Sequence, residues 1–198
     1  MPERIIELDP ARPMWERFFT VAPLVLVGTV EPEGAHDLAP KHMAMPLGWD
    51  AWFCFVCSPR HATQRNAVAT GAFTVSFPRP GQVVQLGQAA AMRDAEGVKH
   101  ALAALPVRPA RKVEGVLVDG CALWLECALD RVIDGFGANS LVIGRVVAAE
   151  AVEAALRDAD RDDADLLGEE PALAYLAPGR FARVAETRSF PFPAAYRR

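Results

Sequence analysis

The residues best suited to chemistry lie together at Ser58-Pro59-Arg60-His61-Ala62-Thr63. They fall where an apolar, strand-like run, residues 52–57, gives way to a helical pattern. Ser58 suits an N-cap, and Pro59 the first helical position, where a missing N–H costs nothing. The pattern predicts a helix over residues 60–69, ended by Gly71. A helix N-terminus carries roughly half a positive charge, so a first turn normally attracts Asp or Glu. This one carries Arg60 and His61, with Arg65 close behind. No acid occurs between Asp50 and Asp94, where the chain's average would place about five. Free backbone donors beside uncompensated cations describe an anion site, a seat for a phosphate. The plainer reading is that Ser58 only caps the helix and the arginines lie in solvent.

The elements around this hinge are mostly strands. Residues 24–30 form a continuous apolar run rich in β-branched side chains, which predicts a strand buried on both faces. Glu31-Pro32-Glu33-Gly34 reads as a turn. A strand at 35–38 is expected to break at Pro40. Residues 39–46 should then be irregular yet apolar, with Lys41, His42, Met43 and Met45 packed together, and able to line a flat ligand. Phe73, Val75 and Phe77 share a face of the strand after the helix. Helical stretches are expected at 13–20, 82–92 and 95–104, and further strands at 113–118, 121–131, 141–149 and 181–185. In the strand at 121–131, Cys121, Leu123, Leu125, Cys127 and Leu129 alternate with Trp124 and Glu126. Six or seven strands without regular βα alternation predict an antiparallel barrel with short helical insertions.

A chain of 198 residues with 52% apolar content fits one domain with a sizeable core. A net charge of −4 and no basic stripe argue against nucleic acid as a partner. Cys54 and Cys57 are three apart in a strand and face opposite sides, so they share neither metal nor disulfide easily. They, with Cys121 and Cys127, read as reduced core cysteines, which fits the cytoplasm. No signal-peptide pattern opens the chain, and no apolar run is long enough to span a membrane. The acidic segment 157–170 spaces Asp158, Asp160, Asp162 and Glu169 like a calcium loop. It puts Asp163 where the sharp turn needs Gly, and Asp165 where an apolar anchor belongs. A solvated, mobile acidic loop and no metal site are expected. A calcium-dependent interaction domain is the weakest of the functional readings.

A phosphate seat beside an apolar loop suits a nucleotide or a flavin mononucleotide. No G-x-G-x-x-G, P-loop or G-x-S-x-G is present, and the four histidines lack zinc-like spacing.

Thr29-x-x-x-x-Gly34, Asp37-Leu38-Ala39-Pro40, Ser58-Pro59-Arg60-His61-Ala62-Thr63-x-x-Asn66 and Thr70-Gly71-x-Phe73-Thr74-Val75 resemble, in order and spacing, the flavin reductase-like family. Leu125-Glu126-Cys127, Ile143-Gly144-Arg145-Val146 and Tyr175-Leu176-x-Pro178-Gly179-Arg180-Phe181 extend the resemblance over residues 21–185. It implies an FMN-binding split β-barrel, homodimeric, reducing flavin with NADH or NADPH. A 1–20 lead-in and a 186–198 tail would flank the domain. Asp37, Leu38, Ala39, Pro40, Lys41 and His42 would lie along the isoalloxazine ring, and Ser58, Arg60 and Thr63 would hold the phosphate, with Asn66 nearby. Lys41 or His42 could favour negative charge on the reduced ring. The plainer readings are a solvated Lys41, a packing His42 and a solvent-facing Asn66. Asp37 stands where the family often has Asn, which leaves an acceptor only. Gly137-Ala138-Asn139 stands where it often has Gly-Asp-His, and Arg145 where it has Glu. The missing His puts pyridine-nucleotide oxidation in question, although stacked rings can exchange hydride without an acid or base. His42 and Asn139 are the remaining catalytic candidates. The alternative is an FMN-binding protein without steady reductase turnover: a store, sensor or partner subunit.

Overall fold

The computed structural model describes residues 3–157 and 160–191. After a three-residue 3-10 turn at Met14–Glu16, in place of the helix expected over 13–20, the chain forms β1 (Thr20–Pro23) and β2 (Val25–Val30). Every residue of β2 is buried, as its unbroken apolar run requires. Val25 and Val27 enter one core cluster, with Phe53, Phe55, Phe73 and Val75. Leu26 enters another on the opposite face, with Leu38, Leu86, Ala89 and Leu102.

β3 (His36–Lys41) runs straight through Pro40, where a break was expected. It pairs only with β2 and forms an edge of its sheet, where a proline lacking an N–H removes no ladder bond. A tight turn at His42 and Met43 leads to β4 (Ala44–Pro46) and β5 (Trp52–Cys57), so the expected irregular stretch is mostly strand.

Helix α1 (Ala62–Thr70) starts two residues later than the Ser-Pro pair suggests. The same pair satisfies a turn instead. The His61 N–H donates to the Ser58 carbonyl at 2.9 Å, and the Arg60 N–H to Ser58 Oγ at 3.3 Å. Pro59 then occupies the second position of a turn, where its fixed φ is equally welcome. His61 becomes the N-cap, extended at φ −84° and ψ 142°, with no side chain capping the helix. Gly71 closes it in the left-handed region at φ 68°.

β6 (Ala72–Phe77) leads through a 3-10 turn to α2 (Val83–Ala89), shorter than the helix expected over 82–92. The next helical stretch is a 3-10 turn, His100–Ala104. β7 (Val107–Pro109) and β8 (Val116–Val118) pair with each other. β9 (Leu123–Phe136) and β10 (Asn139–Ala151) form a long hairpin. The acidic segment yields α3 (Asp163–Glu169), where a mobile loop was expected. Asp162 caps it by accepting from the Ala164 N–H at 2.7 Å, and Arg157 and Arg161 pair with Asp163 and Glu169. Asp158, the first position of the loop-like spacing, lies outside the described residues. β11 (Ala172–Ala177) and β12 (Arg180–Val184) are the last strands among the described residues.

All strand pairings among the described residues are antiparallel. The main sheet runs β3-β2-β6-β9-β10-β5-β4, and a smaller one runs β1-β11-β12. Cys54, Cys57, Cys121 and Cys127 are reduced and buried, and burial pushes the thiols of Cys121 and Cys127 up to about 12, which makes them inert packing groups. Trp124 packs against the second cluster, opposite Leu125 and Cys127, so β9 alternates as its sequence requires. Cys121 lies before the strand and joins the Trp124 side. No helix is long and apolar enough to cross a membrane among the described residues.

Gly144 of β10 faces the buried Phe73 ring. A Cβ there would stand 2.5 Å from Phe73 Cε1 and 3.1 Å from the Ala128 carbonyl. Neither neighbour can retreat without moving the sheet. Gly144→Ala is therefore expected to lower unfolding free energy by about 1–3 kcal/mol, read as a lower urea midpoint at unchanged slope. An unchanged midpoint would show that the core yields there.

Candidate functional site

β3 and the turn into α1 enclose a cleft of about 580 Å³. β3 contributes Asp37, Ala39, Pro40 and Lys41; the turn and helix contribute Arg60, His61, Ala62, Thr63 and Arg65. The far wall is the segment after α2, with Ala89 to Arg93 and Lys99. Five cations line this space against one carboxylate, Asp37.

The cations divide by what they already hold. An ammonium has three donors, and Lys99 spends all three inside the protein. Its Nζ donates to Asp37 Oδ1 at 3.1 Å and to the carbonyls of Leu38 and Ala89, each at 2.9 Å. Arg93 pairs with Asp37 at 3.0 Å and with Glu31, and donates from Nη1 to the Gly97 carbonyl at 2.6 Å. Arg65 Nη1 donates to the Arg60 carbonyl. These three therefore add charge and rivet the wall in place. Lys41 and Arg60 have no side-chain hydrogen bond or ion pair among the described residues, nor has the Thr63 hydroxyl. Ala62 and Thr63, which open α1 without a side-chain cap, line the same space. Two uncommitted cations, a hydroxyl and a helix N-terminus together offer the charge and donors that suit a dianion.

Asp37 is 3% exposed, yet Lys99 and Arg93 neutralise it. The carboxylate in place of an amide is thus matched by two cations from about 60 residues downstream, and it does not oppose an anion in the cleft.

The remaining sequence candidates scatter. Leu38 points into the second core cluster and offers the site only its carbonyl, which Lys99 holds. His42 sits beyond the end of β3 on the other side, its ring 4.8 Å from that of Tyr175. There it lines an apolar groove of about 510 Å³ with Trp15, Val21, Met43, Met45 and Cys54. Burial and then Lys41 hold its pKa below the usual imidazole value. Ser58 is occupied by its own turn and borders a second cleft of about 350 Å³, shared with Arg60, Gln64, Asp134 and Asn139 at the tip of the β9–β10 hairpin. Asn66 is buried and donates to Thr29 Oγ1 at 3.3 Å, so it neither faces solvent nor enters the main cleft. Arg60 alone among the candidates borders both clefts. Among the described residues, no three His, Cys, Asp or Glu side chains gather as metal ligands.

Sequence reasoning missed Arg93, Lys99 and the Ala89–Met92 wall. Nothing local marks them, since they are brought in by the packing of α2 and the following segment against β3. His61 was noticed as a charge in the first turn but not as a wall of the site.

The flavin reductase like domain matches residues 18–181. An uncharacterized protein of Methanothermobacter thermautotrophicus is 28% identical over 134 residues, which is 65% of this chain and 62% of that relative's length. Component B of nitrilotriacetate monooxygenase from Bacillus cereus superposes with a TM-score of 0.79 at 22% identity, over 96% of this chain and 100% of the other. An FMN-binding protein from Thermus thermophilus gives 0.75 at 22% identity, over 94% and 99%. An NADH:FAD oxidoreductase from Streptomyces globisporus C-1027 gives 0.74 at 16% identity, over 92% and 99%. At such identities the structural likeness establishes the fold, a mainly β, antiparallel split barrel.

Proposed function

The chain belongs to the flavin reductase-like domain family, and we propose that it is an FMN-binding oxidoreductase that passes hydride from NADH or NADPH to flavin. The observation that carries this reading is the cleft in which Lys41, Arg60 and Thr63 converge, uncommitted, on an uncapped helix N-terminus. FMN fits what the cleft offers: a doubly charged phosphate for the cationic end and a flat ring for the wall of Ala39 and Pro40. Bound flavin would supply the hydride-accepting chemistry. The chain's own part is to anchor, orient and exclude water. Arg60 and Thr63 would donate to the phosphate, with Lys41 adding charge. Lys99 and Arg93 hold the far wall at a fixed distance from β3.

No acid or base is needed if the rings stack, and Asn139 at the hairpin tip is not a proton donor of the histidine kind. His42 is turned away from the cleft, which supports a mechanism of positioning alone. The apolar groove beside His42, with exposed Met43, Met45, Val21 and Trp15, supports a homodimer that covers this face. Four buried, reduced cysteines support a cytoplasmic setting.

Anaerobic mixing tests the activity. NADH or NADPH is expected to bleach protein-bound FMN within seconds. Bound flavin that stays yellow with both nucleotides would leave a flavin-binding protein without reductase turnover.

A further inference from the structure

Among the described residues that line the cleft, His61 is the one imidazole, a side chain whose ordinary pKa lies near neutral pH. It is the N-cap residue of α1, exposed, and lines the cleft. Its neighbours come from three directions. Lys41 faces it from β3, and Arg60 and Arg65 flank it on the turn and helix. Behind it, on β5, Cys57 Sγ lies 3.9 Å from Nδ1. Across the cleft, Arg93 and Lys99 outnumber Asp37, which they already neutralise. No carboxylate bonds to the imidazole among the described residues.

Resting on the flavin reading above, we propose that His61 is a further ligand of the phosphate, one that takes up a proton from solvent as the dianion enters. Empty, the cleft surrounds the ring with cations and discourages its charging. Partial desolvation of this exposed ring, then Lys41 and Arg65, hold its pKa below the ordinary imidazole value. A bound dianion reverses the local field, because an opposite charge within about 4–6 Å favours the charged form. The imidazolium then has an N–H for a phosphate oxygen, while the other nitrogen stays beside Cys57. Lysine and arginine cannot do this, since they are charged at neutral pH with or without ligand. Phosphate binding is thereby tied to pH through a single side chain.

Titration calorimetry of the full chain with FMN at pH 7.5, in two buffers of different ionisation enthalpy, counts the protons. The expected result is a net uptake of about 0.3 proton or more per FMN bound. A phosphomonoester's second ionisation, near pH 6, is already almost complete at this pH and supplies no uptake of its own. His61→Gln should still bind FMN but take up no proton. Its affinity should fall about tenfold below the parent's at pH 6.5 and about twofold or less at pH 8.5. Riboflavin should bind without uptake in both proteins. FMN binding with no proton uptake overturns the proposal and leaves the flavin reading standing. So does uptake that survives His61→Gln and vanishes in Cys57→Ala, which would assign the proton to the thiol. Absence of any FMN binding removes the flavin reading, and this proposal with it.

Discussion

Replacing Arg60 and Thr63 together by alanine is expected to weaken FMN binding about a hundredfold while leaving riboflavin binding within about threefold of the parent. Hydrogen bonds to a charged group contribute about 1.5–3 kcal/mol each, and every 1.4 kcal/mol is tenfold in affinity. Two such bonds give roughly 3 kcal/mol at the low end of that range. The low end applies because Arg60 is exposed and water competes for its donors. Riboflavin carries the same ring without the phosphate, so it reports on folding and on the rest of the cleft. Fluorescence quenching titrations of both ligands measure the ratio. Equal losses for the two would place the phosphate elsewhere.

Lys99→Ala should act through the wall instead. It strands Asp37, which is almost fully buried, with Arg93 as its remaining partner, and releases the carbonyls of Leu38 and Ala89. Breaking a buried ion pair from one side costs about 3–5 kcal/mol. With Arg93 still in place, about 3 kcal/mol is expected, seen as a lower denaturation midpoint. Amide exchange should quicken across residues 90–98, because that segment loses its tie to β3. A stability change under about 1 kcal/mol with unaltered exchange would mean that Lys99 is not the rivet.

The sequence carries the site's near half and hides its far half. Arg60, Thr63 and the missing acids are neighbours along the chain, so their meaning is local and readable. The Ser-Pro pair was ambiguous, because a cap and a turn ask for the same residues. The turn wins, and the helix starts at Ala62 with its donors free. Pro40 misled for a related reason: it forbids a central strand but not an edge, and edge position is a property of the whole sheet. β7, three residues long, is too short to show a period of two, whereas β8 falls inside the strand expected at 113–118. His42 follows Lys41 directly, yet the chain turns there, so adjacent residues end on opposite sides. Lys99 and Arg93 could be matched to Asp37 only once the segment after α2 was folded against β3.

The most direct measurement is a crystal structure of the protein with FMN. The phosphate should lie within hydrogen-bonding distance of Arg60 and the Thr63 hydroxyl, at the N-terminus of α1. FMN bound with its phosphate outside this cleft, or a cleft left empty at saturating FMN, would contradict the account.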